Sequence, residues 1–299
     1  MKFSIVIPTY NRANIIKKSI DSIYRQTYLN WELIVVDNAS TDNTAEVMMD
    51  YIQDGRVRYI VNEKNFERSY SRNRGMQLAT GNFVTLLDSD DILYPDCLKY
   101  AFDFVRENPE TQFFHCLYEI LNENYKCKKK PNFPPVRNPF KAIAKGNFIS
   151  NIGVFYRKDL VTVIKFDETP EIIGIEDYDF VLNVILLTGR VGRISKYCCG
   201  IYDHLGRSVH SEEWENTYKR INYFQNKQDK NPLFLEKMKM YRSSFHAHNF
   251  LYLSSFCAVR GKKYMAFKFI SKGFIKYPGI IIESGFWKQI FVAIKYMII

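Results

Sequence analysis

Two periods alternate over the first hundred residues. Phe3–Ile7 is a near-continuous apolar run, the pattern of a strand buried on both faces. From Ala13 to Gln26, the residues Ile15, Ile16, Ile20 and Ile23 recur at helical spacing. Leu33–Val36 is a second apolar run, ending at Asp37, and Thr41-Asp42-Asn43-Thr44 then offers capping residues for a helix reaching about Ile52. Val57–Val61 predicts a third strand and Arg68–Ala79 a helix closed by Gly81. Phe83–Leu87 predicts a fourth strand, which runs straight into Asp88-Ser89-Asp90-Asp91. Strand–helix alternation at this spacing predicts a parallel, doubly wound α/β sheet. Ligands of such sheets bind beyond the carboxyl ends of the strands. Thr9-Tyr10-Asn11-Arg12, Asp37 and Asp88–Asp91 all fall there, so three polar clusters read as one site.

The middle of the chain is less regular. Lys126–Lys130, followed by Pro131, Pro134, Pro135 and Pro139, is a basic, proline-punctuated loop that either crosses the mouth of the site or is a surface excursion. Glu176–Leu187 predicts a helix opened by acids, and Arg193–Tyr202 has strand character. From Asn231 the pattern is helical. Phe234–Val259 and Lys262–Lys276 predict a hairpin turning at Gly261, and a further break falls at Pro278-Gly279. No fixed-period repeat is present.

Composition changes this picture in one respect. The chain has 299 residues and a net charge of +10, but residues 1–229 hold 30 basic and 30 acidic residues. Residues 230–299 hold 12 basic residues and only Glu236 and Glu283 as acids. The surplus therefore belongs to the C-terminal helices. In 280–299, Phe286, Trp287, Ile290, Phe291, Ile294, Tyr296 and Met297 accompany Lys288 and Lys295, the mixture an interfacial membrane helix needs. The alternative is packing on the rest of the chain or on a second copy, making a homo-oligomer. No nucleic-acid reader motif is present. The six cysteines form no CxxC pair, and none sits beside a histidine at zinc-ligand spacing. The N-terminal apolar run is too short for a signal peptide, and no stretch of about 18 apolar residues exists. The expectation is a cytoplasmic protein, peripheral on the inner face of a membrane through 280–299.

Candidate chemistry centres on Asp88-Ser89-Asp90. Carboxylates two apart in a tight turn can both face a hard cation such as Mn²⁺ or Mg²⁺, which favours oxygen ligands together with phosphate oxygens. The alternative is an acid-rich turn capping the next helix. Asp37 can accept from a ribose hydroxyl or a base N–H, or is itself a turn acid. Arg72 and Arg74 can meet phosphate oxygens or are exposed helix charges. Glu176 and Asp177 suit the positive end of a helix whatever their chemistry, and His204 is a lone histidine. No Ser-His-Asp or Cys-His arrangement competes for a nucleophilic role.

Five segments in this order carry a resemblance: Ser4–Arg12, Val35–Asp42, Ser71–Gly75 with Ala79-Thr80-Gly81, Leu87–Asp91, and Ile175–Tyr178. Together they resemble the family 2 glycosyltransferases of GT-A fold over roughly residues 1–210. The helical, basic pattern beyond it predicts an extension at 216–299. The resemblance implies a mostly parallel, doubly wound central sheet flanked by helices, in a catalytic domain at 1–215 with a nucleotide-sugar half at about 1–110 and an acceptor half at about 111–215. It implies inverting transfer from a UDP-sugar to a glycan or lipid-linked acceptor, assisted by Mn²⁺ or Mg²⁺. Pro8, Thr9, Tyr10, Arg12, Asp37, Arg72, Asp88 and Ser89 would then bind the nucleotide sugar. Asp90 would be the main metal ligand, joined by Asp88 and His204. Asp177 would be the general base, with Glu176 beside it orienting the acceptor. Two other readings compete: a nucleotidyltransferase, which lacks its expected glycine-rich phosphate loop here, and a non-catalytic module of the same fold.

Overall fold

The computed structural model describes residues 1–203, 213–283, 286, 287, 290, 291, 294 and 295. In chain order, the first half runs β1 (Phe3–Thr9), α1 (Ile16–Tyr24), β2 (Trp31–Asp37), α2 (Thr44–Met49), β3 (Val57–Val61), α3 (Glu67–Leu78), β4 (Phe83–Leu86), β5 (Ile92–Leu93), α4 (Cys97–Glu107), β6 (Phe113–Leu121) and β7 (Cys127–Lys129). Next come α5 (Pro139–Ala144), β8 (Val154–Arg157), α6 (Lys158–Val163), α7 (Glu176–Thr188) and β9 (Gly192–Tyr202). The remainder is helical: α8 (Trp214–Gln228), α9 (Pro232–Lys237), α10 (Arg242–Val259) and α11 (Lys263–Lys276). These elements form two compact units that interleave along the chain. The first comprises Met1–Pro135, Ile149–Glu168 and Arg190–Arg207; the second comprises Val136–Phe148, Thr169–Gly189 and Ser208–Ile299.

The first unit is built on one mixed sheet in the order β3-β2-β1-β4-β8-β6-β9-β5, with β7 added to β6. β1 to β4 are mutually parallel, as their spacing predicts. β8 reverses direction between β4 and β6. The aliphatic runs of β1 and β2 are buried along their length, because helices cover both faces of a parallel sheet. Phe3, Ile5, Ile7, Leu33 and Val35 share one core cluster with Ile16, Ile20 and Ile23 of α1. α3 approaches β1 so closely that a Cβ on Gly75 would stand 2.2 Å from Val6 Cγ1, which explains glycine within the Ser71–Gly75 segment.

Glu32 lies near the start of β2 and is 5% exposed. Its carboxylate accepts hydrogen bonds from Ser4 Oγ, the Thr80 N–H and Oγ1, Lys2 Nζ and Arg58. Burial alone would raise its pKa, but these donors hold it at about 2. A depressed carboxylate contributes stability above its unfolded pKa and loses it as pH falls through the folded value. Glu32→Gln is therefore expected to cost about 2 kcal/mol at neutral pH. Its unfolding free energy should converge on wild type between about pH 4.5 and pH 2, as followed by urea denaturation at stepped pH.

The second unit is helical. α10 and α11 pack through Phe250, Leu253, Cys257, Ala266 and Phe269, joined by Ile221 of α8. The turn between them falls at Gly261, as expected, with a left-handed φ of 71°. Ile280 and Phe286 pack against Ala247 and Leu251 of α10. Asp179 of α7 is fully buried and binds Lys227 Nζ and Gln228 Nε2 of α8, both at 2.7 Å. Among the described residues, no helix is long and apolar enough to cross a membrane.

Candidate functional site

In the first unit, parallel register brings the sequence-selected strand ends together. Thr9 pairs with Asp37 across β1 and β2, Asp37 pairs with Val61 across β3, and the Leu87 N–H donates to the Val6 carbonyl. Asp88–Asp91 therefore emerges beside the end of β1 as a tight turn, closed by the Asp91 N–H on the Asp88 carbonyl at 3.0 Å. Its four side chains have separate fates. Asp88 and Asp90 are half-buried, whereas Ser89 and Asp91 are buried. Asp91 accepts the Tyr202 N–H at 2.9 Å and so ties the turn to β9.

Arginines stand beside both half-buried acids. Arg72, 3% exposed on α3, donates to Asp88 at 2.9 Å. Arg12 reaches Asp90 at 3.8 Å. Arg74 instead donates to the Val61 carbonyl and to Asn62, fixing the end of β3. Neither Arg72 nor Arg74 is a loose surface charge.

The loop after β2 supports its neighbours. Asp37, 1% exposed, accepts from the Ser40 N–H at 2.8 Å and from the Tyr59 hydroxyl. Burial and then Asp37 push the Tyr59 phenol well above its ordinary pKa. Asn38 accepts from Asn62 and the Phe66 N–H, while Ser40 Oγ accepts the Asn11 N–H. Asn11 takes a left-handed φ of 52°, leaving Tyr10 exposed. Pro8 is half-buried in β1 opposite Val36.

Two buried oxygens here lack a hydrogen-bond partner among the described residues: Thr9 Oγ1 and the Tyr125 hydroxyl. Burial raises the Tyr125 pKa, with Tyr202, Asp90 and Asp91 adding to the effect. Its ring stacks on Tyr202 at 4.6 Å, and Lys18 lies 4.0 Å from its centre. Tyr125 escaped the sequence reading, because a tyrosine before a lysine-rich run carries no local signal. The run itself, Lys126–Lys130, supplies the short edge strand β7 rather than an irregular loop, with Lys128 bonded to Asp203 and Lys130 to Glu119.

In the second unit, the acids that open α7 point to different tasks. Glu176 is buried, and its carboxylate accepts the Gly174 N–H at 2.6 Å, bracing the turn before the helix. Asp177 accepts the Tyr178 N–H at 2.8 Å and a long contact from Asn147 Nδ2 at 3.4 Å. Asp177 also lines a cavity of about 590 Å³, whereas Glu176 does not. His204 lies outside the described residues.

The profile of glycosyl transferase family 2 matches residues 4–174. The chain belongs to this family. It is 29% identical over 218 residues to UDP-Glc:alpha-D-GlcNAc-diphosphoundecaprenol beta-1,3-glucosyltransferase WfgD of Escherichia coli, an alignment covering 73% of this chain and 81% of that one. Across curated relatives, the chain spans from 19% to 81% of their own length. S. aureus TarS 1–349 in complex with UDP-GlcNAc superposes with a TM-score of 0.66 at 19% identity, over 92% of this chain and 89% of that one. The mannosyltransferase PcManGT from Pyrobaculum calidifontis, in complex with GDP-Man and Mn²⁺, gives 0.60 at 16%, over 99% and 87%. These likenesses establish the GT-A fold for this family 2 chain, as the strand and motif order implied.

Proposed function

We propose that this family 2 chain is an inverting glycosyltransferase, moving a sugar from a UDP-sugar to a hydroxyl of a glycan or lipid-linked acceptor in bacterial surface polysaccharide synthesis. The observation that carries the reading is the Asp88–Asp90 turn at the end of β4, held by Arg72 beside the ends of β1 and β2. WfgD, named for transfer from UDP-Glc to a diphosphoundecaprenol-linked sugar, supports the donor and acceptor classes.

The turn fits a hard divalent ion. Its donors are carboxylate oxygens two residues apart, and Arg12 and Arg72 show that positive charge is accommodated at both. Asp90 and Asp88 would hold Mn²⁺ or Mg²⁺, with His204 as a further ligand. When bound, such an ion offsets the charge that accumulates on a departing diphosphate. Thr9, Tyr10, Arg12 and Asp37 would contact the nucleoside, and Thr9 Oγ1 has unused hydrogen-bonding capacity for it. Arg72 holds Asp88 in place. Asp177 would remove the proton from the acceptor hydroxyl as that oxygen attacks, so that one displacement inverts the sugar without a covalent nucleophile.

A panel of UDP-sugars with Mn²⁺ tests the donor class. At least one should be hydrolysed slowly by the purified chain and should raise its melting temperature more than UDP alone does. Neither effect with any UDP-sugar would remove the donor assignment.

Association with a membrane surface through the C-terminal residues belongs to the same proposal. Ile280 and Phe286 are buried, yet Ile282, Trp287 and Phe291 are 85%, 59% and 70% exposed, and Phe267 and Ile275 of α11 are exposed as well. Apolar side chains in a lysine-rich, acid-poor segment suit an anionic leaflet. The double variant Trp287→Glu/Phe291→Glu should reduce co-sedimentation with phosphatidylglycerol vesicles by about tenfold and lower the melting temperature only slightly, through loss of the Trp287 indole bond to the Ile281 carbonyl. Undiminished sedimentation would show that these side chains do not touch lipid.

A further inference from the structure

The cavity lined by Asp177 lies wholly within the second unit, and α10 supplies much of its wall. His248, Asn249 and Tyr252 occur at helical spacing and share one face of α10, while Ile221 and Phe224 come from α8. Its volume of about 590 Å³ falls within the range of small-molecule sites, about 300–1,000 Å³. The lining thus reaches beyond the 1–215 segment to which the sequence assigned the chemistry.

Two features of the lining narrow the ligand. Asn249 is 6% exposed, and its Nδ2 has no acceptor among the described residues. A buried amide donor left unsatisfied is destabilising, and an oxygen atom of a ligand would satisfy it. Among the described residues, Lys145 is the one lysine or arginine of the lining, and Glu283 already engages its ammonium. Glu283 also faces His248 Nε2 at 3.3 Å. Burial pushes the His248 imidazole below its ordinary pKa, against the pull of Glu283. Among the described residues, a phosphate or carboxylate entering here would find no uncommitted lysine or arginine, but an uncharged polyol would find a donor, a carboxylate and apolar walls.

We propose that this cavity binds an uncharged sugar ring of the acceptor, with Asn249 Nδ2 donating to a ring substituent oxygen and Tyr252 and Leu251 covering an apolar face. A hydroxyl of that ring is then presented to Asp177. The word acceptor rests on the transferase reading above; saccharide binding itself does not.

Saturation-transfer NMR on the full chain without nucleotide tests binding, using methyl β-D-glucopyranoside, methyl N-acetyl-β-D-glucosaminide and, separately, farnesol. Wild type should give saturation transfer to at least one glycoside. Asn249→Leu should lower it by about tenfold, the equivalent of one lost hydrogen bond, with an equal or higher melting temperature because an unpaired amide is removed. Tyr252→Ala, at a half-exposed position, is the second variant and should weaken binding similarly. Glycoside signals that survive both substitutions, or farnesol binding without glycoside binding, would overturn the proposal. If wild type hydrolyses no UDP-sugar but binds glycoside through Asn249, the transferase reading fails and the saccharide site stands.

Discussion

Replacing Asp177 with Asn is expected to lower sugar transfer by about 10³-fold, the scale of a lost general base, while nucleotide affinity stays within about twofold of wild type. The substitution preserves the size of the side chain. Asn keeps an oxygen for the Tyr178 N–H that Asp177 now accepts, and the long contact with Asn147 contributes little to stability. What is removed is a carboxylate that can take a proton in the cavity. The measurements are UDP release with acceptor present and UDP binding by calorimetry. A variant that transfers at the wild-type rate removes Asp177 from the base role. Equal loss of transfer and of nucleotide binding would point to a structural defect instead. Glu176→Ala separates the two acids further. It leaves the Gly174 N–H without its acceptor, so this change should lower the melting temperature where Asp177→Asn does not.

The contrast between Glu176 and Asp177 shows what a sequence can display. Their adjacency at a helix start was legible, because acids favour that end of a helix. Which of them faces a cavity depends on the turn before α7, which no local pattern encodes. Asp179, two residues on, was passed over, although buried contacts with Lys227 and Gln228 make it the acid that joins α7 to α8. α8 itself was not read, since the stretch Trp214–Gln228 is rich in polar residues whose burial only those partners explain.

The first four strands were legible for the opposite reason. β1 and β2 are buried on both faces, so apolar runs, Ile5–Ile7 and Leu33–Val36, fill their centres, and Thr9 and Asp37 mark their carboxyl ends. β6 is buried as well, but carries His115 and Glu119, and its periodicity is broken. Glu119 is held by Tyr94, distant in sequence, and by Lys130, just beyond the edge strand β7. The strand-end site was therefore visible as three polar clusters. Its supporting network of Tyr59 on Asp37, Arg72 on Asp88 and Tyr125 near Asp90 needed the fold.

The same network makes neighbouring acids of one turn experimentally separable. Asp90→Asn is expected to reduce transfer by about 10²–10³-fold, because a bound cation offsetting diphosphate charge is worth several kcal/mol. A chelator should remove wild-type activity, Mn²⁺ or Mg²⁺ should restore it, and Asp90→Asn should need far more metal for half-activation. Its stability should hold or fall only slightly, since Arg12 lies 3.8 Å away and the pair is partly solvated. Asp91→Ala reverses the pattern. Asp91 is 5% exposed and anchors the Tyr202 N–H, so its loss leaves a buried donor unpaired and costs about 1–3 kcal/mol. Its half-activating metal concentration should stay near wild type. Full activity in chelator would remove the metal role of Asp90. If Asp91→Ala instead shifted metal dependence as strongly as Asp90→Asn, the division of labour within Asp88–Asp91 would be wrong, because the anchoring acid would then be a ligand.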